Sequence, residues 1–212
     1  MLLIGMFDSP FVRRVAVTMK LLGIPFEHAN WSVGRDFDRI RQYNPLGRVP
    51  TLVTAHNERL FESAAILDYL DELVGPGRAL MPASGPERRM AWNLMAMATG
   101  AAEKGVLQLY ERAFRPESKR HQPWLDRLRL QMGASLDALD RYLGERGEGQ
   151  WLVGRRLSQA DITVVCAFTF LDDALRVTSD AVRLRSLATL AARCEALPAF
   201  QETRTPFLAP NS

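Results

Sequence analysis

Cysteine is scarce here: Cys166 and Cys194 are the only 2 in 212 residues, each inside an apolar, helix-like stretch and neither in a Cys-x-x-Cys arrangement. That excludes a disulfide framework and a thiol redox motif, and buried free thiols are expected, with a regulatory disulfide as the alternative. Any thiol chemistry must then come from a bound ligand. Histidine is equally sparse. His28, His56 and His121 are isolated, with no His-Glu-x-x-His and no Cys/His cluster, so no metal site is expected. No apolar run approaches the ~20 residues of a membrane span. The apolar start from Met1 to Phe7 lacks a basic preceding region and is broken by Asp8, short of a signal-peptide core, so a cytoplasmic location is expected. There is no Gly-x-Ser-x-Gly elbow, Walker loop or dinucleotide fingerprint. Charge of one sign is missing as a block too: 27 Lys and Arg stand against 24 Asp and Glu, scattered along amphipathic stretches. The net +3 argues against nucleic-acid binding and leaves room for a small anionic ligand.

What is present is ordinary for a folded protein: 47% hydrophobic and 24% charged residues supply apolar surface for a real core. The length suits one large or two small domains, and the pattern favours two. Leu2 to Phe7 reads as a buried strand. Ser9-Pro10 then opens a helix, Ser as N-cap and Pro at the first helical position, with Phe11, Val15, Met19 and Leu22 at helical spacing. Gly23-Ile24-Pro25 ends it. Phe26 to Trp31 is the next strand candidate, Asp36 to Tyr43 a short charged helix, and Asn44 to Gly47 a turn. Thr51 to Thr54 and Arg59 to Phe61 are two short strands around a polar turn, after which Ser63 is expected to cap a helix bearing Ile66, Leu67, Leu70 and Leu73. The order is β-α-β-α-β-β-α.

Gly75-Pro76-Gly77 through Gly85-Pro86 suits neither helix nor strand and reads as a linker. Everything beyond it reads as helix. Leu125, Leu128, Met132, Leu136, Leu139 and Leu143 form one apolar stripe. Ser158, with Asp161 placed to accept from its backbone N–H, begins another helix as a capping box, a folding signal and not a catalytic one.

Several of these segments, in this order and spacing, carry a resemblance that covers nearly the whole chain. They are Ser9-Pro10-Phe11-Val12-Arg13-Arg14, the run from Asn44 through Gly47-Arg48-Val49-Pro50 to Leu52, Phe61-Glu62-Ser63-Ala64-Ala65-Ile66, Ser158-Gln159-Ala160-Asp161, and Leu197-Pro198-Ala199-Phe200. Together they resemble the cytosolic glutathione transferase superfamily, and the Ser-Pro-Phe start is most similar to its serine-type classes, the plant tau class and related bacterial proteins. The resemblance implies an α/β plus all-α fold: a thioredoxin-like, glutathione-binding domain (βαβαββα) over residues 1–75, a linker over 76–86 and an all-helical domain over 87–212. It also implies a homodimer, with the Glu62-Ser63 helix of one subunit near the helical domain of the other.

The site residues follow from the same resemblance, and each has a physical reading. Ser9 is at the least a helix cap; as the catalytic residue, its hydroxyl donates to the sulfur of glutathione where the helix dipole favours an anion. A hydrogen bond to a charged group is worth about 1.5–3 kcal/mol, and about 1.36 kcal/mol corresponds to one pKa unit. The thiol is therefore lowered by about one to two units. Pro50 is expected to follow a cis bond that turns the N–H and C=O of Val49 toward the cysteinyl unit of the ligand. Glu62 opposes the α-ammonium of the γ-glutamyl end, Ser63 and the helix N-terminus meet its α-carboxylate, and Arg48 pairs with a ligand carboxylate or is simply a solvated surface residue. Phe11, Tyr110 and Phe114 are the candidates to line a pocket for a small apolar electrophile. The expected reaction is attack of the glutathione thiolate on that electrophile. Isomerisation, dehalogenation or peroxide reduction on the same platform, or a non-catalytic interaction module, are the alternatives.

Overall fold

A computed structural model describes residues 1–178 and 183–208; residues 179–182 and 209–212 of the expected helical domain lie outside the described residues. The chain opens with β1 (Leu2–Ile4), α1 (Pro10–Leu21), β2 (Glu27–Ala29), α2 (Phe37–Arg41), β3 (Thr51–Val53), β4 (Arg59–Phe61) and α3 (Ser63–Val74). This is the βαβαββα order read from the sequence. The strands form one mixed sheet in the order β2-β1-β3-β4, with β1 parallel to β2 and antiparallel to β3, and β3 antiparallel to β4. Leu3 is paired with His28 on one side and Leu52 on the other, and Leu3, Ile4 and Leu52 are fully buried. The first strand is shorter than the apolar run that announced it, because Gly5 turns the chain at φ +129°. Only glycine suits that turn: a Cβ there would lie 2.7 Å from Val49 Cβ and 2.6 Å from Val12 Cγ2.

The helical part consists of α4 (Gly85–Phe114), α5 (Gln122–Arg146), α6 (Gln159–Leu175), α7 (Arg185–Glu195) and α8 (Pro198–Gln201). The stripe Leu125, Leu128, Met132, Leu136, Leu139 and Leu143 is the buried face of α5, as its spacing requires. α6 is buried from Gln159 through Leu171 and forms the centre of this part, with α4 and α7 packed on it. Its N-terminus carries the expected capping box. Asp161 accepts from the Ser158 N–H at 2.8 Å, from the Ser158 hydroxyl at 2.6 Å and from the Leu152 N–H at 2.8 Å. Burial raises the carboxyl of Asp161 above its ordinary value, against the pull of those donors.

Polar ties bind the two parts. Asp71 on α3 accepts from the N–H groups of Leu80 and Met81 at 2.9 and 3.0 Å, and Leu80 in turn accepts from Gln159 N at 3.0 Å. α1 packs against β1 and α3, and against α6 and α8. Arg13 on α1 forms a two-pronged pair with Glu195 of α7 at 2.8 and 2.6 Å and reaches the Phe200 carbonyl at 3.0 Å. A buried charge needs such partners. Thr169 adds a bond to the same carboxylate at 2.9 Å.

Candidate active site

α1 begins at Pro10 with Ser9 as its N-cap in extended conformation. The Ser9 hydroxyl accepts from the Val12 N–H at 3.5 Å, the long limit of a hydrogen bond. It donates to no acceptor among the described residues. Ser9 is half-buried. A hydroxyl with a spare proton thus stands at the positive end of a 12-residue helix.

Two further segments lie beside α1. The Val49–Pro50 bond is cis, and the close approach of Val49 to Gly5 and Val12 brings that loop against the start of α1. The loop is braced by Asn44, whose side-chain amide donates to the Arg48 carbonyl at 2.9 Å. The N-terminus of α3 is the third component. Ser63 was expected to cap this helix; instead it is the first helical residue, and Glu62 occupies the cap position with φ +71° and no capping side-chain bond. A non-glycine residue in the left-handed region costs about 1–3 kcal/mol, and it leaves the first-turn N–H groups without a side-chain cap. Ser63 is buried, its Oγ accepting from Arg14 Nε at 3.1 Å and Nη2 at 2.7 Å. Arg48 and Glu62 face each other at 3.7 Å, both more than half exposed (59% and 62%) and so free to exchange partners.

Tyr110 and Phe114 lie on the last turns of α4 in edge contact, ring centres 5.2 Å apart. Burial raises the Tyr110 phenol above its ordinary value, while Arg48 pulls it down and Asp8 pushes it up. Tyr110 itself is 37% exposed. Phe11 is half-buried at the start of α1. Phe114 is 57% exposed, so of the three pocket candidates it is the least enclosed. The tail also reaches this region: Leu208 N–H donates to Asp8 at 3.3 Å, and Phe207 packs edge-on to Phe170. Neither tail residue had a signal in the sequence.

The protein's own sulfurs are poor nucleophiles. Burial pushes the Cys166 and Cys194 thiols up to about 12, and both are free and buried. No group of three or more His, Cys, Asp and Glu among the described residues is arranged to hold a metal. Two cavities, of about 380 and 660 Å³, border none of the predicted site residues.

The most consequential residue missed by sequence reading is Arg14, which lies behind Ser63 with 4% exposure. Its signal was present: two consecutive arginines, Arg13 and Arg14, interrupt a helix start that is otherwise apolar from Phe11 through Val17, so at least one has to be buried against something.

Comparison with known proteins adds an independent line. Residues 3–78 match the model for the glutathione S-transferase N-terminal domain, and residues 122–202 that for the glutathione S-transferase C-terminal domain. A GST-like protein of Escherichia coli K12, YibF, is 33% identical over 172 residues, covering 81% of this chain and 82% of its own. Maleylacetoacetate isomerase of Pseudomonas aeruginosa is 31% identical over 200 residues, 89% of this chain and 88% of its own. Among solved structures, a glutathione S-transferase of Methylobacterium radiotolerans in complex with glutathione sulfonate superposes with a TM-score of 0.89 at 28% identity, covering 98% of this chain and 95% of its own.

Proposed function

The chain belongs to the glutathione S-transferase family, and from that premise we propose that it binds glutathione between Ser9, Pro50 and Ser63 and catalyses conjugation of the tripeptide's sulfur to a small apolar electrophile by the serine-type route. The observation that carries this reading is the Ser9 hydroxyl at the N-terminus of α1, which donates to no acceptor among the described residues. Glutathione supplies the sulfur nucleophile; the residues of the chain bind it, orient it and hold its charge. Ser9 donates to the sulfur and keeps its own proton, and the helix dipole adds to the preference for an anion. The high thiol values of Cys166 and Cys194 support a borrowed sulfur over an internal one.

The rest of the ligand is met by short-range complementarity. The N–H and C=O of Val49 pair with the cysteinyl unit as a neighbouring strand would. Glu62 opposes the α-ammonium, and Ser63 with the first-turn N–H groups of α3 meets the α-carboxylate. Arg48, held only by an exposed pair with Glu62, turns to a ligand carboxylate. Phe11, Tyr110 and Phe114 line the electrophile pocket. Within this reading residues 1–75 form the glutathione-binding domain, the expected linker 76–86 ends two residues early because Gly85 and Pro86 already open α4, and the helices of 87–212 shape the second pocket.

A second reading, a glutathione-dependent isomerisation on the same site, is supported by the 31% identity over 200 residues to maleylacetoacetate isomerase. Assays of the purified protein with glutathione and either a panel of aromatic and alkyl electrophiles or cis-enoyl diketo acids discriminate the two. Conjugation without isomerisation supports the first reading, and the reverse result replaces it with the second. A protein that neither binds immobilised glutathione nor turns over either class would be a non-catalytic module.

The family also supports a homodimer. Phe61 on β4, Leu73 on α3, and Met90 and Trp92 on α4 are 36–50% exposed apolar side chains available to a second copy. A monomeric mass by light scattering would overturn the dimer.

A further inference from the structure

Arg13 and Arg14 are neighbours on α1 and both are buried, yet their surroundings differ. Arg13 is answered by a carboxylate, that of Glu195. No carboxylate lies within ion-pair distance of Arg14 among the described residues. All its bonds go to neutral hydroxyls: Nε and Nη2 to Ser63 Oγ at 3.1 and 2.7 Å, and Nη1 to Thr163 Oγ1 of α6 at 3.3 Å. Burial lowers this guanidinium to about 10, far enough above neutral pH that it remains a cation. The charge of Glu62 is felt there, but that side chain is 62% exposed and turned to Arg48. A buried cation without an anion is costly unless an anion arrives.

The geometry at Ser63 shows where such an anion would sit. A serine hydroxyl has two acceptor lone pairs and one donor proton. Arg14 places two N–H groups on the Ser63 oxygen, which occupies its accepting capacity. The proton is left, and it donates to no acceptor among the described residues. The same serine is the first residue of α3, beside N–H groups that no side chain caps.

We propose that Arg14 is a positioning residue and buried counter-charge for the anionic head of the ligand: by holding both lone pairs of Ser63 Oγ it makes that hydroxyl an obligate donor, and its buried positive charge makes the site select a carboxylate over a neutral amide. Thr163 fixes the third arm of the guanidinium, so the helical part takes a share in a selection made at the end of α3. The proposal rests on the assignment of the γ-glutamyl carboxylate to Ser63 made above.

Two probes test it by calorimetric titration: glutathione, and glutathione whose γ-glutamyl α-carboxylate is replaced by a carboxamide. The proteins are the wild type, Arg14→Met and Arg14→Lys. Wild type should prefer glutathione on the order of 10- to 100-fold, the range of a charge-assisted bond. The preference should fall to near unity in Arg14→Met. Arg14→Lys should show an intermediate value, because an ammonium keeps the charge but lacks the planar fork that covers both lone pairs. Should Arg14→Met fail to fold by circular dichroism, Arg14→Lys decides. A folded variant that binds both probes more weakly by the same factor, keeping the wild-type preference, would overturn the proposal, since that is what a purely structural arginine does. Wild type that binds glutathione without preferring it to the amide would overturn the head-group assignment instead, and wild type that does not bind glutathione would overturn the functional reading itself.

Discussion

Replacing Ser9 by alanine separates the two jobs its hydroxyl performs. As an acceptor it receives the Val12 N–H at 3.5 Å, a long bond. Loss of an N-cap costs about 0.5–2 kcal/mol, and so long a contact belongs at the low end. At about 2–4 °C per kcal/mol for a chain of this size, Ser9→Ala should melt only a few degrees below wild type. As a donor, the hydroxyl stabilises the thiolate by about 1.5–3 kcal/mol. Removing a donor disfavours the anion, so the thiol of bound glutathione should titrate about one to two units higher. From a cysteine-like starting value of about 8.5, the thiolate fraction near neutral pH falls in proportion. Hence kcat/KM with an aromatic electrophile should drop about 8- to 25-fold at pH 7, with glutathione affinity nearly intact. The gap should narrow as pH rises through the thiol titration of the variant. Thiolate ultraviolet absorbance of the enzyme–glutathione complex gives the titration, and a pH–rate profile gives the kinetic counterpart. A variant whose bound thiol and turnover both match wild type would refute the role of Ser9 and leave it a cap only.

Other perturbations probe the scaffold. Asp161→Ala strands the N–H groups of Leu152 and Ser158 and the Ser158 hydroxyl, so urea unfolding should show a loss of about 3 kcal/mol or more. Gly5→Ala places a methyl 2.6 Å from Val12 Cγ2 and 2.7 Å from Val49 Cβ at φ +129°; it should cost about 2–4 kcal/mol and weaken glutathione binding by displacing the Val49 loop, both readable from melts with and without ligand. Burial raises the carboxyl of Asp8 above its unfolded value, so the folded state holds that proton more tightly. The stability it contributes is complete below the unfolded value and is lost as pH rises through the folded one. Asp8→Asn cannot ionise, and its melting temperature relative to wild type should rise as pH climbs through the acidic range; a constant difference would show that Asp8 does not titrate there.

The segments proposed to form the site were legible because their signals are local. Ser9-Pro10 at a helix start, a proline before a short strand, and Glu62-Ser63 opening the next helix are each read from a few adjacent residues. The stripe from Leu125 to Leu143 and the Ser158–Asp161 capping box depend on spacing within a single helix, and both are present. Strand lengths were overestimated where an apolar run continued past a turn, as Leu2 to Phe7 did beyond Gly5. A glycine's φ is not written in its neighbours' hydrophobicity.

By itself, the sequence determined the order of elements and the family, since periodicity, turn chemistry and motif spacing act over a few bonds. Only the tertiary structure decided that Glu62, not Ser63, takes the cap position and that the two adjacent arginines have opposite fates. The fates of the arginines depend on pairs 49 and 182 residues apart, Arg14 with Ser63 and Arg13 with Glu195. A buried charge takes whatever packing places beside it, and no rule of local spacing reaches that far.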